Sequence, residues 1–452
     1  MVNSMQQLSY LKLVPLSRFN LWDVKRYTKG LNISFENVVR LRDILIPYKK
    51  NVSKEEMIKN KWQIIAKINF GGQLFLRDFE EIHTYKGGLN LVPENAIIYS
   101  KINVRHGCIY FNEIGNTPFG VSNEYPTFTF DETLISGDFL RKVLRSNAFK
   151  KLLNSKTSGI SKARVKQDEF LDIEIPLPTL EEQNRIVASY NAKLQLAQQQ
   201  EEQAKTLEMD IERYLFEELG VEHKKNSYEK KIGSFMKIYK YSEFDKWGAN
   251  QNNSNKIISN NSFKLKKIKD ICTVSSGGTP SRERKEYYKG NIPWIKTGEV
   301  VNDIIYDTEE KITIEAIKNS SAKIYPKDSL IIAMYGQGAT RGRTAKLGID
   351  ASTNQACAVL FNINNSVILT DYLWLYLMGE YDRMREMASG NNQPNLNAQM
   401  LKDYNVIIPP FEIQTKIINT INSFKSQIKE LNVLSAKNKE EAIVEFEKEI
   451  FN

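Results

Sequence analysis

The sequence predicts an α/β (α+β) fold: two similar mixed globular units joined by two long helices that pack antiparallel as a coiled coil. Three observations carry this. One layout occurs twice: Ser158-Gly159 leads through a helical tract to Ile175-Pro176-Leu177-Pro178 and Gln183, and Ser389-Gly390 leads to Ile408-Pro409-Pro410-Phe411 and Gln414. Serine, glycine and glutamine thus recur at an offset of 231, an interval that Asn123 and Asn354 share. Each copy then ends in a tract of about 40 residues without an internal Gly or Pro, and each carries strand-like segments ahead of that tract.

In order along the chain, residues 1–178 form the first unit. Asn95–Ser100, Gly107–Phe111 and Tyr125–Phe130 are rich in β-branched and aromatic residues and read as strands, and Asp138 to Leu153 reads as helix. The first long helix occupies 179–220. Pro178 and Thr179 provide a stop and an N-cap, Glu182 stands three residues on as in a capping box, and Gly220 ends it. Leu180, Val187, Leu194 and Leu215 share one seven-residue phase, and Tyr190, Ala197, Ala204 and Ile211 the phase three residues on. That is an a/d seam with small residues in its middle, and an apolar stripe of this length needs a partner. Residues 411–452 supply one, with Ile417, Phe424 and Leu431 in one phase, Ile421, Ile428 and Ala442 in the other, and Leu434 adjoining. An antiparallel pairing would start each helix beside its own unit and end it near the other, so that rod length sets their separation.

Between the first helix and the second unit, the polar stretch 221–261 holds the Asn-rich run Asn250–Asn255 and reads as a linker. The second unit is 262–410. Its strand-like counterparts are Ser329–Met334 and Gln355–Phe361, its helical tract runs from Asp371 to Met387, and Tyr325-Pro326 parallels Val92-Pro93. Phe244–Gly248 parallels Phe19–Asp23 at a looser offset.

Composition sets bounds on what such a chain does. With 452 residues, 41% hydrophobic and 26% charged, it can bury two cores and is not a disordered polyelectrolyte. No apolar run reaches the length of a membrane span, and the first 30 residues lack the apolar core of a signal peptide, so a cytoplasmic protein is expected. Three scattered cysteines and three histidines leave no zinc pattern. The net charge of +9 is unevenly spread: 181–220 carries −5 and 411–452 carries −1, which leaves +15 on the rest of the chain. The globular units hold the positive charge, as they would for a polyanion partner, while the acidic outer faces of the helices suit a protein partner.

The polar loops name candidates. In the second unit Ser275–Arg282, Pro293–Thr297, Gly336–Thr344, Ser352–Gln355 and Ser389–Gln393 bring together side chains able to read base edges or grip phosphates. From them we take Ser276, Thr279, Arg282, Lys296, Gln337, Arg341, Arg343, Asn354 and Gln393 as candidate DNA contacts. Arg341 and Arg343 stand out because two arginines in a glycine-rich loop have little packing role. The corresponding basic stretch of the first unit, Lys101–Gly107, supplies Lys101, Asn103 and Arg105. Same position with different chemistry implies two different half-sites.

Four features taken together resemble the specificity (S) subunits of type I restriction-modification systems. They are Ser276-Gly277-Gly278-Thr279-Pro280-Ser281, Ile292-Pro293-Trp294 with Lys296, the arginine-bearing loop before Asn354-Gln355, and the repeated Ile-Pro ending before each long helix. The resemblance implies two target-recognition domains on two antiparallel helices, each domain reading one half of an asymmetric bipartite duplex. It also implies a non-catalytic subunit that directs adenine methylation and restriction by its partners, two modification subunits and, in full assemblies, two restriction subunits. S-adenosylmethionine, ATP and Mg2+ are then expected on those partners and no cofactor on this chain. The first unit departs from the pattern, with Ile46–Lys50 in the approximate place of Ser-Gly-Gly-Thr-Pro.

Catalytic signatures are missing. Ile408-Pro409-Pro410-Phe411 imitates the Pro-Pro-aromatic part of an amino-methyltransferase motif, but Ile408 stands where the amine-binding Asn or Asp belongs. Gly336–Thr344 has the wrong glycine spacing for a phosphate-binding loop and Arg343 in place of its lysine. Asp303 with Glu309-Glu310-Lys311 is read as a solvated turn and strand edge rather than a nuclease site. The alternatives are the same scaffold serving another restriction or phage-defence methyltransferase, and a coiled-coil protein scaffold without specific DNA binding.

Overall fold

The computed structural model describes residues 31, 33–156, 164–221, 263–336, 339–387 and 395–451. They divide into two compact units, Met1–Glu201 with Asn432–Asn452, and Glu202–Leu431. Each long helix therefore contributes one half to each unit. The stretch 222–261, both Ser-Gly landmarks, and the Phe19–Asp23 and Phe244–Gly248 pair lie outside the described residues.

In the first unit Val38–Arg40 pairs antiparallel with Glu174–Pro176. A four-stranded antiparallel sheet follows in the order Leu45–Tyr48, Thr127–Phe130, Ala96–Tyr99, Ile109–Asn112. Phe128, Phe139, Phe149 and Phe170 are fully buried beneath it, and Tyr99 stacks on Phe170 at 4.3 Å. The helical tract expected over 138–153 is two helices, Gly137–Arg145 and Asn147–Lys156. Ser146 separates them: its ψ of 157° leaves the helical region, and its Oγ accepts from the Phe149 N–H to start the second helix. Three further strands, Asn51–Val52, Leu89–Val92 and Phe119–Val121, form a second sheet, and Ile65–Ile68 with Leu74–Leu76 form a two-stranded hairpin of their own.

The second unit repeats the helix-side strand pair and the four-stranded sheet of this plan. Lys264–Lys267 pairs with Asn405–Ile408 as Val38–Arg40 does with Glu174–Pro176. Its main sheet runs Thr273–Ser276, Cys357–Phe361, Leu330–Ala333, Thr344–Leu347, the order of the first unit, with a parallel edge strand Ile304–Ile305 added. Ile46–Tyr48 thus occupies the strand equivalent to the one that runs into Ser276-Gly277-Gly278. Thr370–Gly379 and Tyr381–Met387 cover the sheet, with Tyr372, Leu373, Tyr376 and Leu377 fully buried.

The long helices span Leu180–Glu218 and Phe411–Ile450. Thr179 caps the first as its sequence announces: the Glu182 N–H donates to Thr179 Oγ1 at 3.3 Å and the Thr179 N–H donates to Glu182 Oε2 at 2.9 Å. Within the first unit Arg185 pairs with Glu449, Lys193 with Glu441 and Glu445, and Gln200 with Asn438, so the two segments run antiparallel. Within the second unit Tyr214 bonds Thr420 and Glu218 pairs with Lys416, again antiparallel. Ala197, Ala204 and Ala442 are buried in the seam. Leu434, which adjoins the seam, is 38% exposed, and Ser435, 1% exposed, takes the inward place. Ser435 continues the Ile421–Ile428–Ala442 phase, and its hydroxyl pays for burial by donating to Glu201 Oε1 at 3.1 Å.

The recurrent glutamine has a mechanical role. Gln183 is fully buried; its Oε1 accepts from the Ser136 N–H at 2.9 Å, and its Nε2 donates to the carbonyls of Leu134 and Pro178 at 3.0 and 2.9 Å. Gln414 does the same with the Leu369 N–H and the carbonyls of Pro409 and Val367 at 2.8, 2.8 and 3.4 Å. Each side chain satisfies backbone groups of the loop before the covering helices and ties that loop to the start of a long helix.

Candidate nucleic-acid interface

Sheet register gathers most of the candidate residues. In the second unit Ser276 pairs with Ala358, Ala333 with Cys357, and Ile332 with Thr344. The last residues of two strands and the first residues of two others therefore lie side by side at one end of the sheet. From that end project the loops that carry Ser276 and Thr279, Arg341 and Arg343, and Asn354. In the first unit Tyr48 pairs with Thr127 and Tyr99 with Ile109, so Lys101, Asn103 and Arg105 leave the equivalent end of the equivalent sheet.

The glycines of Ser276-Gly-Gly-Thr-Pro280 are there for close approach. A Cβ on Gly277 would lie 2.1 Å from Thr353 Oγ1, and one on Gly278 would lie 2.2 Å from the Ala322 nitrogen. The Gly278 N–H donates to the Thr353 carbonyl at 2.9 Å, and its own carbonyl accepts from Trp294 Nε1 at 3.0 Å. Ser276 and Thr279 on either side stay exposed. Asn354 is half-buried and holds a turn: its Oδ1 accepts from the Ala356 N–H at 3.2 Å and its own N–H donates to Ile295 at 2.9 Å.

Arg282 and Lys296 are held by carboxylates. Arg282 Nη1 lies 2.6 Å from Glu310 Oε2, and the guanidinium sits over the rings of Tyr288 and Trp294 at 4.2 and 5.0 Å. Lys296 Nζ lies 3.0 Å from the other oxygen of Glu310 and 2.6 Å from Glu309. Hydrogen bonding to these carboxylates raises the pKa of both cations, and the Arg282 hydrogen bond lowers that of Glu310. The turn and strand edge read from the sequence are there, with Glu309 solvated and Lys311–Ile312 at the edge of its sheet, and Glu309 and Glu310 also set the positions of two cations. The signal for this is weak, because Glu310 stands 28 and 14 residues away from its partners.

The arginine loop extends the hairpin between Leu330–Ala333 and Thr344–Leu347, with bonds from the Gly342 N–H to the Ala333 carbonyl and from the Ala333 N–H to the Arg343 carbonyl, both 2.9 Å. Helix Tyr381–Met387 braces it: Tyr381 donates to the Ala339 carbonyl at 2.7 Å and Arg385 to the Arg341 carbonyl at 3.2 Å. Arg341 and Arg343 are half-buried on either side of Gly342. In the first unit Lys101 Nζ donates to the Asn123 carbonyl at 2.7 Å, Asn103 starts a short 3-10 turn, and Arg105 Nε donates to His106 Nε2 at 3.1 Å. Gln337 and Gln393 lie outside the described residues. Among the described residues no cluster of His, Cys, Asp or Glu could hold a metal ion, and no helix is long and apolar enough to cross a membrane.

Two units of one topology, each presenting a different polar loop set at the same sheet end and each sharing a pair of antiparallel helices, define a tandem recognition scaffold. Residues 260–438 match the family described as type I restriction modification DNA specificity domain. The chain is 32% identical over 171 residues to the type I restriction enzyme MjaIX specificity subunit of Methanocaldococcus jannaschii, a match that covers 36% of this chain and 38% of that one. It is 23% identical over 161 residues to the EcoR124I/EcoR124II specificity subunit of Escherichia coli, covering 35% and 40%. The chain thus spans about two fifths of the length of these curated relatives. Among solved structures, a chain from work on complex assembly and conformational transition of the type I R-M system matches with a TM-score of 0.58 at 16% identity, covering 93% of this chain and 97% of that one. The HsdS subunit from Thermoanaerobacter tengcongensis matches with a TM-score of 0.50 at 15% identity, covering 91% and 96%. These two likenesses establish the fold over almost the whole chain. Residues 260–438 thus resemble the DNA specificity domain of type I restriction-modification systems, and almost the whole chain has the fold of the two solved chains.

Proposed function

We propose that this chain is the DNA sequence-specificity subunit of such a system, non-catalytic itself, which recognises an asymmetric bipartite duplex and directs adenine methylation and restriction by its partners. One observation carries the reading: equivalent ends of two topologically equivalent sheets bear loops of unlike sequence, Lys101–Gly107 and Gly336–Arg343. A repeated scaffold with divergent loops is what two half-sites of different sequence require. Two modification subunits hold S-adenosylmethionine; two restriction subunits, where present, use ATP and Mg2+. Glu310 orients Arg282 and Lys296, the exposed Ser276 and Thr279 offer hydroxyls to phosphates, and Arg341 and Arg343 take a base edge or a phosphate.

The test is a domain exchange. Residues 245–410 are replaced by those of a relative, the chain is expressed with its modification subunits, and modified adenines are mapped across the host genome. One half of the recognised sequence changes and the other stays. If both halves change together, or if the purified chain alone methylates DNA from S-adenosylmethionine, the reading is wrong.

A further inference from the structure

The sequence left the DNA-facing surface of the first unit poorly assigned, and the structure points to a specific one. The hairpin Ile65–Ile68/Leu74–Leu76 turns through Asn69-Phe70-Gly71-Gly72-Gln73. Its tip is locked: Asn69 Oδ1 accepts from the Gln73 N–H and Asn69 Nδ2 donates to Gln73 Oε1, both at 2.8 Å. On this rigid turn Phe70 is 61% exposed, with its ring 4.7 Å from that of His106 in the loop Lys101–Gly107. A phenylalanine presented in this way is a contact surface awaiting a partner rather than core.

Cations converge beneath it. Arg145 donates to the Gly71 carbonyl, and the stem of Lys150 lies over Gly107, where a Cβ would come within 2.7 Å of Lys150 Cε and 3.5 Å of the Phe70 carbonyl. Gly72 and Gly107 have φ of +75° and +85°, so both turns need glycine, and at both the missing side chain leaves room for the cation above. Arg105 leans on His106. Among the described residues no carboxylate forms an ion pair with Arg105, Arg145 or Lys150; Glu447 lies in range of Lys150, but its Oε1 accepts from the Asn147 N–H. Burial and the Arg145 guanidinium lower the pKa of Lys150, as burial and Arg141 do for Arg145. An anion placed among them would relieve the crowding.

We propose that this hairpin tip is the DNA-contacting element of the first unit: Phe70 enters a groove against the bases while Arg105 and Lys150 take flanking phosphates, with Arg145 as the brace that positions the tip. An apolar side chain at a base step between phosphate-binding cations is a recurring way to grip duplex DNA. The inference rests on the reading of the chain as a DNA specificity subunit, and it joins Arg105 from the loop to Phe70, Arg145 and Lys150, none of which was among the residues chosen from the loops.

The full-length chain is titrated with a mixed-sequence DNA duplex at several salt concentrations. Arg105→Ala and Lys150→Ala each lower the slope of log affinity against log salt by about one unit. Phe70→Ala weakens binding at least fivefold with the slope unchanged, and p-benzoylphenylalanine at position 70 crosslinks to the duplex on irradiation while the same residue at Val444 does not. Phe70 and Val444 are both more than half exposed, so neither change threatens folding. Wild-type affinity and slope in all three alanine variants would overturn the proposal, as would altered slopes without a crosslink at position 70. Both results leave the specificity-subunit reading intact if the wild type binds with a strong salt dependence; a wild type that does not bind duplex DNA removes that reading as well.

Discussion

Replacing Gln414 by leucine removes a buried polar device while nearly preserving its volume. The side chain is fully buried and has three partners, the Leu369 N–H and Pro409 carbonyl at 2.8 Å and the Val367 carbonyl at 3.4 Å. The last is long enough to count for little. Leucine therefore orphans two backbone groups, one buried and one part-buried, at about 1–3 kcal/mol each and roughly 2–6 kcal/mol together. At about 2–4 °C per kcal/mol for a unit of this size, the melting temperature should fall by roughly 4–24 °C. Scanning calorimetry of the full chain is the assay, with Gln183→Leu as the twin. If the units melt separately, each substitution lowers a different transition. Gln414→Glu adds a check: an ionised carboxylate cannot donate to the Pro409 carbonyl, so it destabilises at neutral pH, and protonation restores a donor and reduces the penalty as pH falls. Melting within about 1 °C of wild type for both leucine variants, far less than the loss of one such group implies, would show that the recurrent glutamines do not hold the loops to the helices.

Two further expectations follow from buried or paired groups. The Glu310 carboxyl is held below its ordinary pKa, first by its bond to Arg282, so the ion pair contributes fully above the usual carboxylate range and is lost as pH falls through the depressed value. The stability difference between wild type and Glu310→Gln, from urea unfolding, should accordingly shrink on acidification, and a difference independent of pH would contradict this pairing. Burial pushes the thiols of Cys108 and Cys272 up to about 11 and about 12, and that of Cys357 upward as well. A thiol-specific disulfide reagent at about pH 8 should therefore titrate these three cysteines only after denaturation, and rapid reaction in the native chain would show that one of the pockets opens.

The architecture was legible because it is written twice. A single amphipathic tract, or a single run such as Ala96–Tyr99, is ambiguous; the same order of strand, helix, Ile-Pro and glutamine recurring 231 to 233 residues on is not. Periodicity also gave the seam, since buried positions recur at the same heptad phases in both helices. It passed over Ser435, because hydropathy alone cannot see that a serine hydroxyl will find Glu201 across the seam. The break at Ser146 was hidden for a related reason: serine is tolerated inside a helix, and only its capping bond to the Phe149 N–H marks a new start.

Candidate contact residues were legible only where they fall at repeated positions. Arg341, Arg343, Lys101 and Arg105 could be found because their loops join equivalent strands, and a basic loop at a repeated position invites comparison. Arg282 and Lys296 could be found as cations, but their sharing of one carboxylate could not, since Glu310 meets them only after Trp294 and Gly278 have brought the segments together. The hairpin with Phe70 at its tip sits in a stretch of the first unit for which the second offers no matching hairpin among the described residues, so nothing in the repeat pointed to it. On the proposed function, a duplicated chain keeps what holds its frame and lets go of what meets the DNA. The residues that are hardest to find from the repeat are then the ones that distinguish the two units, and Phe70 is exposed, rigidly held and peculiar to one of them.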